Sequence, residues 1–385
     1  MARSSAFERP FGGRWVGRER AAFRHLDPTL IVATVALAVY GLFVVYSATH
    51  QSLEALGEDG FFFLKKQLAF VMLGLIAMAL TASFDYRLVK VYAGIAYGVV
   101  VLLLLVVLTP LGSETAGAQR WITLFGFQFQ PSEVAKLSVT AAMAAYLSEI
   151  RGGIRLEHVW RSAALAVGPM VLIFVQPDVG TMLVFAAILI GILVVGGARA
   201  RHLGALVVVA LVAIVVAFQL GIVKQYQIDR LTAFADPSSD PLRAGYNKAQ
   251  AEIAIGAGGL TGKGYLHGTQ TNLDFVPEQH TDFVFTVVGE ELGFLGAMLL
   301  LGLYATIAWR GFRAAMLSKD AFGTLLASGL TVMIAFQIFV NVGMTVGIMP
   351  ITGIPLPFVS YGGTSLLVNF VAVGLILNVH MRRFK

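Results

Sequence analysis

The sequence predicts an all-α, polytopic integral membrane protein with ten transmembrane helices. Hydrophobic residues make up 57% of its 385 residues and charged residues only 13%, roughly half the charged fraction of a soluble domain. Long runs without Asp, Glu, Lys or Arg recur along the chain, as expected of helices that cross a bilayer. Because the chain contains no Cys, disulfides, thiolate catalysis and Cys-based metal sites are excluded.

The charge-free runs divide the chain into a tail and one membrane domain. Residues 1–27 carry six Arg and no apolar segment, which predicts a basic tail and not a signal peptide. Residues 28–385 form the single membrane domain, in which a large loop, residues 224–283, separates the seventh and eighth spans. The ten predicted spans are about 28–47, 67–84, 91–110, 131–149, 162–177, 179–198, 203–223, 284–308, 322–346 and 361–381.

The distribution of charge predicts the orientation of these spans. With both termini in the cytoplasm, cytoplasmic segments hold 19 of the 28 Lys and Arg but only 7 of the 22 Asp and Glu. The positive-inside rule therefore places both termini inside and the large loop outside. The net charge of +6 is explained by this asymmetry and does not indicate nucleic-acid binding.

The strongest candidate for chemistry is a stretch rich in carboxylates at the end of the large loop. Asp282 lies where this loop joins the eighth span, and Glu278 and His280 precede it. A carboxylate at a membrane boundary is costly to maintain, which favours a functional role. The alternative is that Asp282 caps the helix. For Glu290 and Glu291, farther along, the alternative is a buried pair bound to Arg or Lys.

Two further motifs lie on the predicted outer side. In G-A-Q-R-W-I, Arg120 could bind a phosphate and Trp121 a sugar face, although an interfacial aromatic beside a snorkelling Arg is the simpler interpretation. In Q-P-S-E-V-A-K, Glu133 and Lys136 share one helix face. They either pair with each other or line an outward-facing cavity. Asp178, in Q-P-D-V-G-T, is expected to cap the sixth span.

The large loop and the Pro-rich loop complete the list of candidate residues. The large loop contains a mixed-polarity segment expected to lie as a helix on the membrane surface. A Gly-rich segment follows, without P-loop spacing, in which glycines would allow close backbone approach to a ligand. Arg243 and Lys263 could meet an anionic head group. The Pro-rich segment 349–365, which includes Ser360, forms a second candidate wall. The carboxylate stretch has no metal-ligand spacing such as HxxxH.

Together and in this order, these motifs resemble the SEDS family, which includes the RodA and FtsW branches. The resemblance covers essentially everything after residue 27, and G-K-G-Y-L-H-G-T-Q and M-P-I-T-G-I-P-L-P-F are similar to the elongation (RodA) branch. It implies a peptidoglycan glycosyltransferase that polymerises lipid II at the outer face of the bacterial cytoplasmic membrane. It places the essential acid on Asp282, the family's Trp on Trp121 and its Glu–Lys pair on Glu133 and Lys136.

The resemblance also predicts partners and a possible cofactor. The substrate is lipid II with the growing glycan strand, and a class B penicillin-binding protein docks on spans eight and nine. A divalent cation, Mg²⁺ or Mn²⁺, could be held between Asp282 and the substrate pyrophosphate. The alternatives are a lipid II flippase, an FtsW-like division polymerase, and a scaffold for a partner enzyme.

Overall fold

The computed structural model describes residues 25–115, 118–124, 127–236, 244–273 and 275–384. Most of this part of the chain is helical. The described helices are α1 (Pro28–Ala55), α2 (Phe62–Ser83), α3 (Tyr86–Val107), α4 (Pro131–Ser148), α5 (Leu156–Val175), α6 (Val179–Val195), α7 (Ala200–Gln219), α8 (Gln225–Ala235), α9 (Ala244–Gly258), α10 (Thr269–Asn272), α11 (Val284–Met316), α12 (Ala321–Thr345) and α13 (Gly363–Met381).

Eight of the described helices are long and apolar enough to cross a membrane. Each coincides with a predicted span. The other two predicted spans coincide with α6, an apolar helix of 17 residues, and with α4, whose 18 residues include Glu133 and Lys136. An integral membrane protein is therefore confirmed, whereas ten crossings and the orientation of the termini stay predictions.

A small antiparallel sheet corrects the all-α prediction. Its strands are β1 (Ser113–Thr115), β2 (Ala118–Leu124) and β3 (Phe127–Phe129), in the order β1-β2-β3. Counting apolar runs does not detect strands as short as these, because their alternation extends over only a few residues. The central strand carries Arg120 and Trp121, so this sheet positions two of the candidate residues.

Asp side chains begin several of the helices. Asp27, Asp85, Asp178 and Asp320 each accept a hydrogen bond from a backbone N–H in the first turn of the helix that follows. These bonds satisfy N–H groups that have no partner within the helix. The prediction that Asp178 caps the sixth span is confirmed, since it accepts from the Thr181 backbone N–H at 3.1 Å.

Most of the helices extend beyond the charge-free runs that predicted them. Helix α2 begins at Phe62 and includes Lys65 and Lys66, while α11 continues through Arg310 and Arg313 to Met316. Long basic side chains can remain in a helix and still place their charge at the interface. Charge marks the membrane boundary and not the end of the helix. The predicted spans that match α1, α2, α3, α5 and α11 were therefore too short, whereas the other five were within a few residues of the helix length.

The share of buried residues distinguishes two central helices from those at the periphery of the bundle. In the most apolar windows of α12 and α13, 72% and 89% of the residues are buried, against only 6% for α7. The α12–α13 pair therefore lies at the centre of the bundle. Helix α7 presents nearly its whole surface outward, and its only buried residue is His202.

Helix α11 is broken at Gly293, whose φ of 63° and ψ of −161° are not helical. The Gly-rich segment, residues 256–264, fills the break and bonds to the backbone on both sides. Before the break, the N–H groups of Lys263 and Gly264 donate to the carbonyls of Glu290 and Glu291, each at 3.0 Å. After the break, Phe294 N–H donates to the Gly259 carbonyl at 3.0 Å and Leu295 N–H to the Leu260 carbonyl at 3.1 Å. Irregular backbone at membrane depth needs such internal partners.

This packing corrects two predictions about the large loop. The glycines do allow close approach, but to the broken helix: a Cβ on Gly258 or Gly262 would overlap the carbonyl oxygens of Gly289 or Glu291. Helix α9 does not lie free on the membrane surface. It packs against α11, and its Ala251 is buried in a small apolar cluster with Phe283.

Candidate active site

A tight turn holds Asp282 at the start of α11. The N–H groups of Thr281, Asp282 and Phe283 all donate to the carbonyl of Glu278, at 3.2, 3.1 and 3.2 Å. Glu278 has a φ of 55°, a left-handed conformation that is uncommon outside Gly and costs of order 1–3 kcal/mol. The turn therefore fixes the backbone of Asp282 just before α11 begins.

The Asp282 backbone is fixed from a second direction by Asn341 of α12. The Asn341 side-chain amide donates to the Asp282 carbonyl at 2.8 Å and to the Ile354 carbonyl at 2.7 Å. It thereby joins the Asp282 turn to the Pro-rich loop. Because Asn341 is fully buried, this junction is part of the rigid core.

The capping alternative for Asp282 is wrong. Helix α11 begins at Val284, its N-cap is Phe283, and no side chain caps it. Among the described residues, none donates a hydrogen bond to the half-buried Asp282 carboxylate. The Asp282 carboxylate therefore does not serve as a cap for this helix.

Burial and neighbouring charges set the acidity of Asp282. The pKa of Asp282 is raised to about 6, chiefly by burial and also by the nearby carboxylate of Glu278, while the charges of Arg230 and Arg120 oppose the shift. Asp178 makes a smaller raising contribution. Five charged groups from separate parts of the chain thus meet electrostatically at this position, and Asp282 titrates near the range in which a general base works well.

Arg120 is anchored from the sheet to the turn between α5 and α6. Its Nε donates to the Gln176 carbonyl at 3.0 Å, and its terminal nitrogen bonds the Pro177 carbonyl. This arrangement leaves the guanidinium oriented by the backbone and close enough to Asp282 to affect its pKa. Trp121 follows on β2 and is half-buried. Its carbonyl accepts from the Ser113 hydroxyl at 3.1 Å.

Arg230 of α8 is a candidate residue that the sequence did not reveal. One of its terminal nitrogens lies 3.4 Å from the Ile351 carbonyl in the Pro-rich loop, and its charge lowers the pKa of Asp282. It stands 52 positions before Asp282, in a helix of mixed polarity, so only tertiary folding brings the two together. Arg243, the predicted basic residue of this loop, lies outside the described residues.

Glu133 and Lys136 form a buried ion pair. The Lys136 ammonium lies 2.7 Å from Glu133 Oε1, and the side chains are 1% and 3% exposed, respectively. The pairing alternative is confirmed. The cavity alternative is not supported by this conformation, because a substrate could not reach the ammonium. The second oxygen, Glu133 Oε2, has no hydrogen-bond partner among the described residues.

Lys263 is also engaged within the protein. Its ammonium lies 2.8 Å from Glu290 Oε1 and 2.6 Å from the Thr269 hydroxyl. Glu290 is fully buried and also accepts from the backbone N–H groups of Gln270 and Thr271 at 2.8 and 2.9 Å. The expectation that Lys263 meets an anionic substrate is therefore not supported, since its charge neutralises a buried carboxylate.

Glu290 and Glu291 differ in their partners. Glu290 is bound to a Lys, as the simpler interpretation held. Glu291 pairs with no cation in the described part of the chain: its two oxygens lie 2.7 and 2.6 Å from the Ser47 hydroxyl of α1, which donates to them. The expectation of a basic partner is wrong for Glu291.

Ser360 joins the Pro-rich loop to the turn that carries Asp282. Its hydroxyl donates to the Thr281 carbonyl at 2.5 Å and accepts from the Leu356 N–H at 2.8 Å. Its contact with substrate stays a prediction. His280, in the same turn, lies with its ring 4.9 Å from that of Phe63.

The described residues contain no group of three or more His, Asp or Glu side chains arranged to hold a metal ion. Glu278 is the exposed carboxylate nearest in sequence to Asp282 and accepts from the Thr281 hydroxyl at 3.0 Å. Asp282 and Glu278 belong to one turn, and their carboxylate oxygens are of the donor type that Mg²⁺ binds.

Comparison with known proteins places this arrangement in a family. The FtsW/RodA/SpoVE model, described as cell cycle protein, matches residues 28–385. The chain belongs to this family. The resemblance recognised from the motifs is thereby confirmed across the whole membrane domain.

The relatives of this FtsW/RodA/SpoVE family member include both named enzymes and sporulation proteins. Peptidoglycan glycosyltransferase MrdB of Escherichia coli (strain K12) is 37% identical over 359 residues, covering 93% of this chain and 94% of that protein. Stage V sporulation protein E of Bacillus subtilis (strain 168) is 37% identical over 356 residues, covering 92% and 96%.

Solved structures share the fold. A chain of a peptidoglycan synthase complex, described as coordinating polymerization and crosslinking, matches with a TM-score of 0.79 at 33% identity and covers 94% of this chain and 99% of its own. The crystal structure of the rod shape determining protein RodA of Thermus thermophilus matches with a TM-score of 0.68 at 31% identity, covering 94% and 98%.

Proposed function

We propose that this protein is a peptidoglycan glycosyltransferase that polymerises lipid II during cell elongation and maintenance of cell shape. The observation that carries the proposal is the Asp282 carboxylate, which has a raised pKa and no capping role at the end of the large loop. Relatives named as peptidoglycan glycosyltransferases cover nearly the whole chain. The elongation role rests on the RodA-like motifs and on the similarity to RodA of T. thermophilus.

Asp282 acts as the general base in this reaction. Its carboxylate accepts the proton of the acceptor sugar hydroxyl, whose oxygen forms the new bond to the anomeric carbon of the donor. The bond between that carbon and the pyrophosphate oxygen breaks, and the pyrophosphate leaves on its lipid carrier. A carboxylate with a pKa near 6 is mostly ionised at neutral pH and still basic enough to accept a proton.

Two guanidinium groups stabilise the departing pyrophosphate. Arg120 and Arg230 approach Asp282 from the sheet and from α8, and each is oriented by a bond to a backbone carbonyl. Planar guanidinium groups suit phosphate oxygens, and fixed positive charge lowers the energy of the charge that develops as the bond breaks. A divalent cation bound between Asp282 and the pyrophosphate would add to this stabilisation.

The reaction takes place at the outer face of the bacterial cytoplasmic membrane. The positive-inside asymmetry supports cytoplasmic termini and ten crossings, which leave the Asp282 turn and the Pro-rich loop outside. The charged side chains of Arg120 and Asp282 would therefore lie on the outer side, where a lipid-linked sugar presents its head group.

A class B penicillin-binding protein is the proposed partner, docked on α11 and α12. The similar chain belongs to a peptidoglycan synthase complex. Small residues on these helices would allow close approach of a partner helix, but they do not all face outward: a Cβ on Gly329 would lie 2.7 Å from Ile192 and Thr140 side chains inside the protein. Gly302 of α11 faces open space, beside the exposed Met298 and Leu299. The outward face of α11 is therefore the better docking surface.

Incubation of the purified protein with lipid II tests the proposed function. We expect glycan polymer and released lipid pyrophosphate without any other enzyme. Transfer of lipid II across proteoliposomes without polymer would instead identify a flippase. Lack of both activities, with lipid II bound, would identify a scaffold.

A further inference from the structure

A cavity of about 320 Å³ lies between α1 and the first half of α11. Its apolar walls are formed by Tyr40, Phe43, Val44, Tyr265, Val287 and Leu292. The volume is within the range of ligand-binding pockets in proteins. Neither Asp282 nor the two Arg residues assigned to the pyrophosphate line it.

The cavity opens at membrane depth. Phe43 lies fifteen residues after the start of α1, about 22 Å along the helix axis, and its side chain is 59% exposed. The hydrocarbon core of a bilayer is about 30 Å thick. The medium outside the mouth of the cavity is therefore lipid hydrocarbon and not water.

The polar groups of the lining are already bonded within the protein. The Tyr40 hydroxyl donates to the Gly296 carbonyl at 3.3 Å, and the Tyr265 hydroxyl donates to the Phe43 carbonyl at 3.0 Å. Glu291, at the inner wall, accepts from Ser47 with both oxygens. These bonds engage the polar groups of the lining, and the other lining side chains are aliphatic or aromatic, so the surface left for a ligand is largely apolar.

We infer that this cavity binds one hydrocarbon chain of a membrane lipid, with Tyr265 closing its mouth. A chain would restore the dispersion contacts that an empty cavity lacks. Tyr265 belongs to the large loop and reaches α1, where its ring meets Phe43 edge to face at 6.2 Å. Either a phospholipid acyl chain or a polyprenyl chain has this chemistry. The inference requires only a membrane location and does not depend on glycosyltransferase activity.

Photolabelling in nanodiscs tests the site. The full-length protein is placed in bilayers of phosphatidylethanolamine and phosphatidylglycerol that contain either a phospholipid with a diazirine in its acyl chain or a diazirine-bearing polyprenyl phosphate. Labelled peptides are mapped by mass spectrometry. The exposed helix α7 reports the labelling caused by ordinary surrounding lipid, so labelling of Tyr40, Phe43 or Tyr265 is measured relative to α7.

We expect one of the two probes to label the cavity peptides above the level of α7. Leu292→Trp fills the cavity and should reduce this labelling to the α7 level. Leu295→Trp is the matched control, because Leu295 lies on the same helix but is 56% exposed and does not line the cavity. Enrichment with the phospholipid alone would identify a structural lipid, and enrichment with polyprenyl phosphate a carrier-lipid site.

The inference fails if neither probe labels the cavity peptides above α7 in the unmodified protein. It also fails if labelling persists unchanged in Leu292→Trp. Should that variant not reach the membrane, Val44→Phe fills the same cavity from α1, and the comparison within the unmodified protein still decides the question.

Discussion

Asp282 Oδ2 lies directly against the backbone of Gly353: a Cβ at position 353 would be only 3.2 Å from this oxygen. Gly353 has a φ of 76°, a conformation that Gly adopts without penalty. The Pro-rich loop thus places a residue without a side chain next to the carboxylate of the proposed base. A side chain at this position would displace the carboxylate or desolvate it further.

Gly353→Ala should therefore impair the reaction itself. We expect its polymerisation rate to fall by about tenfold or more, because small displacements of a catalytic group are costly. Gly57→Ala is the control, since Gly57 has the same φ of 76° but an open space where the Cβ would be. Both variants should lose about 1 kcal/mol of stability to backbone strain. Equal rates of lipid II polymerisation would show that Gly353 does not matter to the base.

The pH dependence of the rate should follow the charges around Asp282. A base must be deprotonated, so the rate should rise with pH through about 6 and then level off. Glu278→Gln removes a cause that raises the pKa of Asp282, so the rise should move to lower pH. Arg230→Gln removes a cause that lowers this pKa, so the rise should move to higher pH. If the pH–rate profiles of the two variants shift in the same direction, or if neither profile shifts, these charges do not set the pKa of Asp282 as described.

Lys263 should prove structural. Lys263→Met leaves the fully buried Glu290 carboxylate without its cation, although Lys263 itself is 27% exposed. We therefore expect a clear loss of thermal stability, but less than the roughly 3–5 kcal/mol that breaking a fully buried pair costs. The double variant Lys263→Met/Glu290→Gln should recover much of the thermal stability and polymerise lipid II. Lys65→Met is the control: it breaks an exposed pair with Asp59, and the loss of such a pair should leave thermal stability almost unchanged. A stable but inactive double variant would instead support pyrophosphate binding by Lys263.

Partner docking should depend on the outward face of α11. Gly302→Leu is expected to weaken co-purification with a class B penicillin-binding protein while leaving thermal stability unchanged, because close helix contact in membranes requires small residues. Gly94→Leu adds the same side chain on α3, also into open space, and should have no effect. Equal partner recovery with both variants would place the interface elsewhere.

The sequence located the helices because charge is expensive in a membrane, and every predicted span coincides with a helix. It also located the junction at Asp282, since an acid at the end of an apolar run is conspicuous. It could not reveal that Arg230 meets Asp282, because their encounter depends on how α8 packs against the Pro-rich loop.

The features that the sequence failed to predict are tertiary contacts, which leave no pattern in the neighbouring sequence. A single glycine in an apolar run is compatible with a continuous helix, so the break at Gly293 was not predicted. Lys263 and Ser360 were polar residues in outer loops, and nothing near them in the sequence shows that Glu290 and the Thr281 carbonyl occupy their polar groups. Candidate ligands chosen by residue type alone therefore include residues whose polar groups already have partners within the protein.

Replacement of Asp282 by Asn distinguishes a general base from a carboxylate that has no part in the reaction. The amide keeps the size of the side chain but cannot accept the proton, and loss of general base catalysis typically costs about a hundredfold or more. Asp59→Asn, which changes an exposed Asp paired with Lys65, is the control. In lipid II polymerisation assays we expect Asp282→Asn to purify as a folded protein, bind lipid II and form no detectable glycan, while Asp59→Asn polymerises normally. Polymerisation by Asp282→Asn at the unmodified rate would show that the base lies elsewhere.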